Sequence, residues 1–508
     1  MKKAGGVYYT PSYIVDYIVK QTIGPLLERQ KVNAKESIKL LGHGKHSASR
    51  LKILDPACGS GSFLLGAYQF FLDWYLEQYL QEPAKWVKGK KPRLYHASGG
   101  LWKLTVSERK RILLSHIYGV DIDLQAVEVT KLSLLLKVLE DEQSVISQLS
   151  LFKERVLPDI NNNIRCGNSL IGDEFYQKKQ LELIDAETQY RVNAFDWKNE
   201  FSEVMQAGGF DAVIGNPPYV RIQTLKKWTP LEVEFYKHQY IAASKGNYDL
   251  YVLFVEKGLS LLNERGYLGF ILPNKFLLTD YGEKLRQLIS EQEALVRLVD
   301  FGHEQVFEQA TTYTCLLFLS SAHSPSFEYI KSEPSPKLSK ASMEFITYSS
   351  SSLSEKPWLM MANKEADLFA KLMQNAKPLL ELPTTINRGS SSGNDNLFIL
   401  TSTTIPNRYI TETGEEIEIE PKILRYPLFA TDFTRYQFMP KKAKLIIFPY
   451  TVKNNRFELI SENELKNFPK TFQYLYSHKE ILEYRSQYKN WYSFSAPRNL
   501  AAHDAARN

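Results

Sequence analysis

The chain has 508 residues, 44% of them hydrophobic and 24% charged, a length that suits two or three cores and a balance far from the disordered and membrane classes. Residues 1–9 lack the apolar run of a signal peptide and no stretch of about 18 apolar residues occurs, so the sequence predicts a cytoplasmic protein with no membrane partner. Three separated cysteines, Cys58, Cys166 and Cys315, suggest neither a zinc site nor a disulfide framework, and a net charge of +6 is too small to argue alone for a polyanionic partner.

Apolar residues recur at Ile14, Tyr17, Ile18, Ile23, Leu26 and Leu27 after Thr10-Pro11-Ser12, which predicts an amphipathic helix over 13–27. Residues 42–50 read as a polar loop. A short buried strand is predicted at 51–55 and its helix at 62–74. A second strand and helix follow at 116–121 and 124–139, after an inserted excursion over 73–111. Further strands are predicted at 211–215, 266–272, 295–300 and 314–319. Strands alternating with helices predict an α/β, doubly wound, mostly parallel sheet covered on both faces, forming a first domain over 1–325. Ser, Pro and Lys crowd the next stretch, so residues 326–360 are expected to be a linker or solvated crossing. Over 361–508 aromatic and basic residues interleave, as in Arg425-Tyr426, Arg435-Tyr436, Tyr484-Arg485 and Trp491-Tyr492, which marks a second domain; its expected type is mixed α/β.

The run Asp55-Pro56-Ala57-Cys58-Gly59-Ser60-Gly61 follows the first predicted strand. Two glycines let the backbone turn tightly, so that a ligand can approach the main chain at a helix N-terminus; a purely structural turn is the alternative. Leu64 stands where a dinucleotide fingerprint carries its third glycine, which counts against a pyrophosphate ligand. Asp55 would repel a phosphate but suits the ammonium of a methionine moiety. Asp121, ending the next strand, can accept hydrogen bonds from both hydroxyls of a ribose, whereas Asp123 suits the cap of the following helix. Residues 165–170 are either a turn or, through Asn168, a polar contact to an adenine edge.

The strand at 211–215 runs directly into Asn216-Pro217-Pro218-Tyr219. The exocyclic amine of adenine is a weak nucleophile, because its lone pair is delocalised into the ring. The Asn216 side-chain oxygen and the Pro217 carbonyl can accept its two N–H groups and draw that pair outward. Two prolines fix φ and offer no competing donor. Tyr219 presents a flat face on which an extruded base can stack, worth ~1–3 kcal/mol, and a π-surface for a sulfonium. A loop that merely turns the chain is the alternative. A base within a duplex reaches such a pocket only by extrusion.

On these motifs the chain resembles the amino-methyltransferases of bacterial restriction-modification systems, in particular the gamma-ordered, adenine-specific group of TaqI-like and Eco57I-like enzymes, over residues 5–320 and, more loosely, 380–450. The resemblance implies a Rossmann-like methyltransferase fold, S-adenosyl-L-methionine as cofactor, and N6 of an extruded adenine in duplex DNA as acceptor. It assigns Tyr9, Thr10, Asp55, Pro56, Ala57, Cys58, Gly59, Gly61, Asp121, Asn168 and Phe254 to the cofactor, although relatives more often carry Asp where Asn168 stands. Catalysis falls to Asn216, Pro217, Pro218, Tyr219 and Phe307, the last as a second aromatic face for the base; core packing is the alternative for Phe254 and Phe307. The C-terminal region is similar to the family's target recognition domain, with Arg388, Gly389, Arg435 and Tyr436 as DNA contacts. Implied partners are duplex DNA and a separate restriction endonuclease or specificity subunit, since the recognition domain is expected to be incomplete or finished by another chain. Methylation of RNA or of protein glutamine, methylation of cytosine N4, and a non-catalytic DNA-binding specificity component are the competing expectations.

Overall fold

Apolar side chains fill both faces of the strands in the N-terminal region, and that pattern dictates a sheet sandwiched between helices. A computed structural model of the chain describes residues 9–34, 50–89, 91–97, 100–140, 157–178, 185–307, 312–339, 344–361 and 368–500, the last apart from 370, 375, 378–380, 383–388, 436, 438, 440–442, 454–455, 486–487 and 499. Nearly all of the loop predicted at 42–50 therefore lies outside the described residues. The chain forms two compact units, 1–367 and 368–508.

In the first unit the strands are β1 (Ile53–Asp55), β2 (Leu94–His96), β3 (Trp102–Leu104), β4 (Ile117–Asp121), β5 (Ile164–Cys166), β6 (Phe210–Gly215), β7 (Leu262–Pro273), β8 (Leu295–Gln305), β9 (Tyr313–Ser320), β10 (Ser326–Lys331) and β11 (Ile346–Ser349). Nine of them form one sheet in the order β11-β10-β8-β9-β7-β6-β1-β4-β5. From β5 to β7 all neighbours are parallel, as are β8 and β10; β9 runs antiparallel to β7 and β8, and β11 to β10. The pair β2 and β3 is a separate hairpin inside the predicted excursion.

Successive residues serve opposite faces. Ile53, Ala212, Ile214 and Leu316 join a core with the helices Ser12–Ala34 and Ser62–Tyr79, while Leu54, Val213 and Leu317 join another with Pro230–Gln239 and Tyr251–Leu261. The helix predicted at 124–139 has those bounds, and Asp123 caps it by accepting from the Gln125 N–H at 2.8 Å.

The linker expected at 326–360 is a correction. Its β10 buries Phe327 and Tyr329 and pairs in parallel with β8, so residues 326–331 and 346–349 extend the sheet. The polar composition hid this because only alternate residues of an outer strand need be apolar.

The second unit carries β12 (Ile399–Ser402), β13 (Arg408–Thr411), β14 (Glu416–Glu418), β15 (Leu424–Arg425) and β16 (Lys444–Ile447) in an antiparallel sheet ordered β14-β13-β12-β16-β15, packed with helices such as Pro469–Ser477. Part of the aromatic–basic interleaving is core rather than surface. Tyr474, Trp491 and Tyr492 are buried, and the Arg485 guanidinium donates to the carbonyls of Ser392, Ser493 and Trp491.

Candidate active site

In a parallel sheet, ligands gather where the strands end at their carboxyl edge. Here β4, β1 and β6 are adjacent and parallel, with Ile53 level with both Ile117 and Ala212, so the chain beyond Asp55, Asp121 and Gly215 emerges along one edge. The glycine loop and Asn216-Pro217-Pro218-Tyr219 thus lie side by side at that edge. Their closeness is set by Gly215: a Cβ there would stand 2.7 Å from Asp55 Oδ1, so only glycine lets the end of β6 pass the carboxylate.

After β1 the chain turns through Gly59 (φ +53°) and Gly61 (φ +85°) into the helix Ser62–Tyr79. Left-handed backbone is why glycine stands at both positions. The Gly59 N–H donates to Asp121 Oδ2 at 2.8 Å, and the Asp123 N–H to Asp121 Oδ1 at 2.9 Å, so the Asp121 carboxylate clamps the loop. Asp55 Oδ1 accepts from the Ala57 N–H at 3.0 Å. Burial pushes the Asp55 carboxyl up to about 8, opposed by the Ala57 N–H and reinforced by the charge of Asp121. Burial also raises Asp121, against the pull of the Asp123 and Gly59 N–H groups.

Among the described residues no atom lies within 4 Å of a Cβ built on Gly59, so the loop faces open space beside Asp121. That room, with two carboxylates and a turned backbone, fits the ammonium and ribose of S-adenosyl-L-methionine and disfavours a phosphate-rich ligand. Among the described residues no cluster of His, Cys, Asp and Glu has metal-holding geometry, and no helix is long and apolar enough to cross a membrane.

The other predicted cofactor residues are placed unequally. Pro56, Cys58 and Gly61 are buried in the loop and Ala57 is half-buried. Thr10 is buried and Tyr9 is exposed. Asn168, beyond β5, makes a turn in which its Oδ1 accepts from the Leu170 N–H at 3.1 Å. Its neighbour Ser169 donates to the Pro56 carbonyl at 2.5 Å, tying this turn to the glycine loop. Phe254 is buried in the core that also holds Leu54 and Val120.

On the catalytic side, the Asn216 amide nitrogen donates to Thr10 Oγ1 at 3.1 Å. The Tyr219 hydroxyl donates to the Ile271 carbonyl at 3.1 Å, which fixes the ring at the end of β7. Its centroid lies 6.4 Å from that of the buried Phe307 at an interplanar angle of 63°, so the two aromatics named from sequence are neighbours. Of the four DNA-contact candidates, Gly389 and Arg435 are exposed; Arg388 and Tyr436 lie outside the described residues.

Sequence reasoning missed three supports. Thr130 donates to the Gly59 carbonyl at 2.7 Å while its side chain packs where a Cβ on Gly61 would fall; Ser169 and Gly215 are the others. A threonine inside an apolar helix leaves no local signal of such a role, whereas Gly215 stands directly before the tetrapeptide.

The Rossmann-like sheet, with its carboxylates and glycine turn, defines a methyltransferase fold. MmeI, a type IIL restriction-modification enzyme solved in complex with DNA, shares it with a TM-score of 0.56 at 16% identity, over 94% of this chain and 56% of that one. A family model described as the Eco57I restriction-modification methylase matches residues 115–307. The type II restriction enzyme and methyltransferase RM.Eco57I of Escherichia coli is 31% identical over 484 residues, 92% of this chain and 44% of its own length. The type II methyltransferase M.BstVI of Geobacillus stearothermophilus is 25% identical over 313 residues, 57% of this chain and 51% of its own. Over residues 115–307 the chain thus matches the Eco57I-like restriction-modification methylase family, and it spans about half or less of the length of these curated relatives.

Proposed function

We propose that the protein transfers a methyl group from S-adenosyl-L-methionine to N6 of an adenine extruded from duplex DNA, as the adenine-specific methyltransferase of a restriction-modification system. The observation that carries this reading is the contact between the two bends: Asp55, ending β1, and Gly215, preceding Asn216, are so close that a single added methyl would collide. A sulfonium methyl donor held at the glycine turn and an amine held at Asn216 would then share one cleft.

The cofactor supplies an electrophilic methyl group; the chain supplies everything else. Asp55 would face the ammonium and Asp121 the ribose hydroxyls, with the Gly59 N–H holding Asp121 in place. The Asn216 side-chain oxygen and the Pro217 carbonyl accept the two amine N–H groups, which keeps the nitrogen lone pair directed at the donor. Tyr219 and Phe307 offer aromatic surface to the base, and Tyr219 keeps its orientation through Ile271. The amine proton is shed once the nitrogen is methylated. Cofactor contacts by Tyr9, Asn168 and Phe254, and DNA contacts by Arg388, Gly389, Arg435 and Tyr436, belong to the same proposal. Duplex DNA is its partner, together with a restriction function that the name of RM.Eco57I places in the same protein as its methyltransferase.

The test is transfer of labelled methyl to duplex DNA, with the modified base identified by mass spectrometry and its position by sequencing. N6-methyladenine is expected. Asn216→Ala should lower the rate by about 10²–10³-fold, the scale of losing one preorganised hydrogen-bonding group at a reacting centre, with cofactor binding retained. N4-methylcytosine would reassign the acceptor, and transfer to RNA or protein but not DNA would refute the reading.

A further inference from the structure

Asn216 can grip an amine only if its carbonyl end, not its NH2 end, faces the base. A primary amide is nearly symmetric in shape but not in hydrogen bonding, so turned the other way it presents a donor to a donor. Something must fix its orientation, and one residue does so from far along the chain. Thr10, 3% exposed, accepts from the Asn216 Nδ2 at 3.1 Å across 206 residues. A bond spent on the nitrogen turns the oxygen to the opposite side.

Thr10 is itself held rigidly. The next residue, Pro11, accepts from the N–H groups of Ile14 and Val15 at 3.0 and 3.2 Å, so Thr10 stands at the mouth of the helix Ser12–Ala34. That helix is anchored by the fully buried Ile14 and Ile18. A β-branched side chain adds stiffness at χ1.

We infer that Thr10 is a positioning residue that acts through Asn216, setting the amide so that its oxygen meets the acceptor amine; this differs from the part in cofactor binding that family resemblance assigns to the segment Tyr9-Thr10-Pro11. The inference rests on the proposed role of Asn216 as amine acceptor.

Thr10→Val removes the hydroxyl and keeps the shape, whereas Thr10→Ser keeps the hydroxyl. Single-turnover transfer by Thr10→Val should slow about tenfold, the scale of one net hydrogen bond, with the Kd for S-adenosyl-L-methionine within about twofold of wild type; Thr10→Ser should recover most of the rate. Three outcomes overturn the inference: undiminished transfer in Thr10→Val, a loss of cofactor affinity that matches the loss of rate, or a Thr10→Ser rate as low as that of Thr10→Val. A second measurement does not depend on turnover. The side-chain amide protons of Asn216, assigned by their loss in Asn216→Ala, should exchange with solvent faster in Thr10→Val than in wild type, and equal exchange overturns the inference. Wild-type protein that methylates no DNA would sink the functional reading above while the exchange comparison still decides the role of Thr10.

Discussion

Replacing Gly215 with alanine tests the joint between the two halves of the site. The new Cβ would stand 2.7 Å from Asp55 Oδ1 and 3.2 Å from its Cγ, and Asp55 is 1% exposed, so the carboxylate can give way only by disturbing the groups that enclose it. Either Asp55 swings off the Ala57 N–H or the end of β6 is pushed outward, carrying Asn216 with it. Overpacking in a tight interior is worth ~1–3 kcal/mol, and the broken hydrogen bond adds ~0.5–1.5 kcal/mol. Together they predict a loss of about 2–4 kcal/mol, or roughly 4–8 °C in Tm at ~2 °C per kcal/mol for a large domain. Activity should suffer more than stability, because a displacement of ~1 Å at a reacting group costs ~10²-fold in rate. The assay pairs thermal denaturation with single-turnover methylation at a temperature where the variant is folded. A Gly215→Ala protein that melts within about 1 °C of wild type and transfers methyl at the wild-type rate would refute the claim that these bends touch.

Asp55 makes the protein pH-sensitive in a defined direction. A carboxyl whose folded pKa is raised to about 8 holds its proton where the unfolded chain has lost it, so its contribution to stability is present at low pH and lost as pH rises from about 4 to about 8. Binding a cationic ammonium favours the ionised form. Affinity for S-adenosyl-L-methionine should therefore climb from about pH 5 to about pH 7.5 with release of a proton, measured calorimetrically in buffers of different ionisation enthalpy; pH-independent binding contradicts this. Ser169→Ala removes the 2.5 Å bond to the Pro56 carbonyl and should lower cofactor affinity several-fold, with ~1 kcal/mol of stability lost; unchanged affinity would mean that the glycine loop holds its shape without that tie. Arg435→Ala, at an exposed position, should weaken DNA binding across sequences and reduce the slope of log K against log salt by ~1, and an unaltered slope would remove Arg435 from the interface.

Much of the site was legible because its demands are local. A tight turn asks for glycine, a stiff acceptor loop asks for proline, and a strand end asks for a carboxylate, so Asp55, Gly59, Gly61, Asp121 and the 216–219 tetrapeptide stood out in the sequence as candidates, with the family resemblance supplying their expected roles. The parallel strand–helix alternation was read the same way, from periodicity within each element. Composition served less well. The polar stretch at 326–360 concealed β10 and β11, and the interleaved aromatic and basic residues near the C-terminus include Trp491 and Tyr492, which fill a core.

What only the tertiary structure decided is which distant groups meet. Sheet order places β6 beside β1, and from that single adjacency follow the need for glycine at 215 and the close approach of the two bends. Thr10 finds Asn216 across 206 residues, and Ser169 finds Pro56 across 113. No periodicity encodes such pairs, because the energy that selects them comes from burying two faces of one sheet at once, a property of the whole chain rather than of any segment.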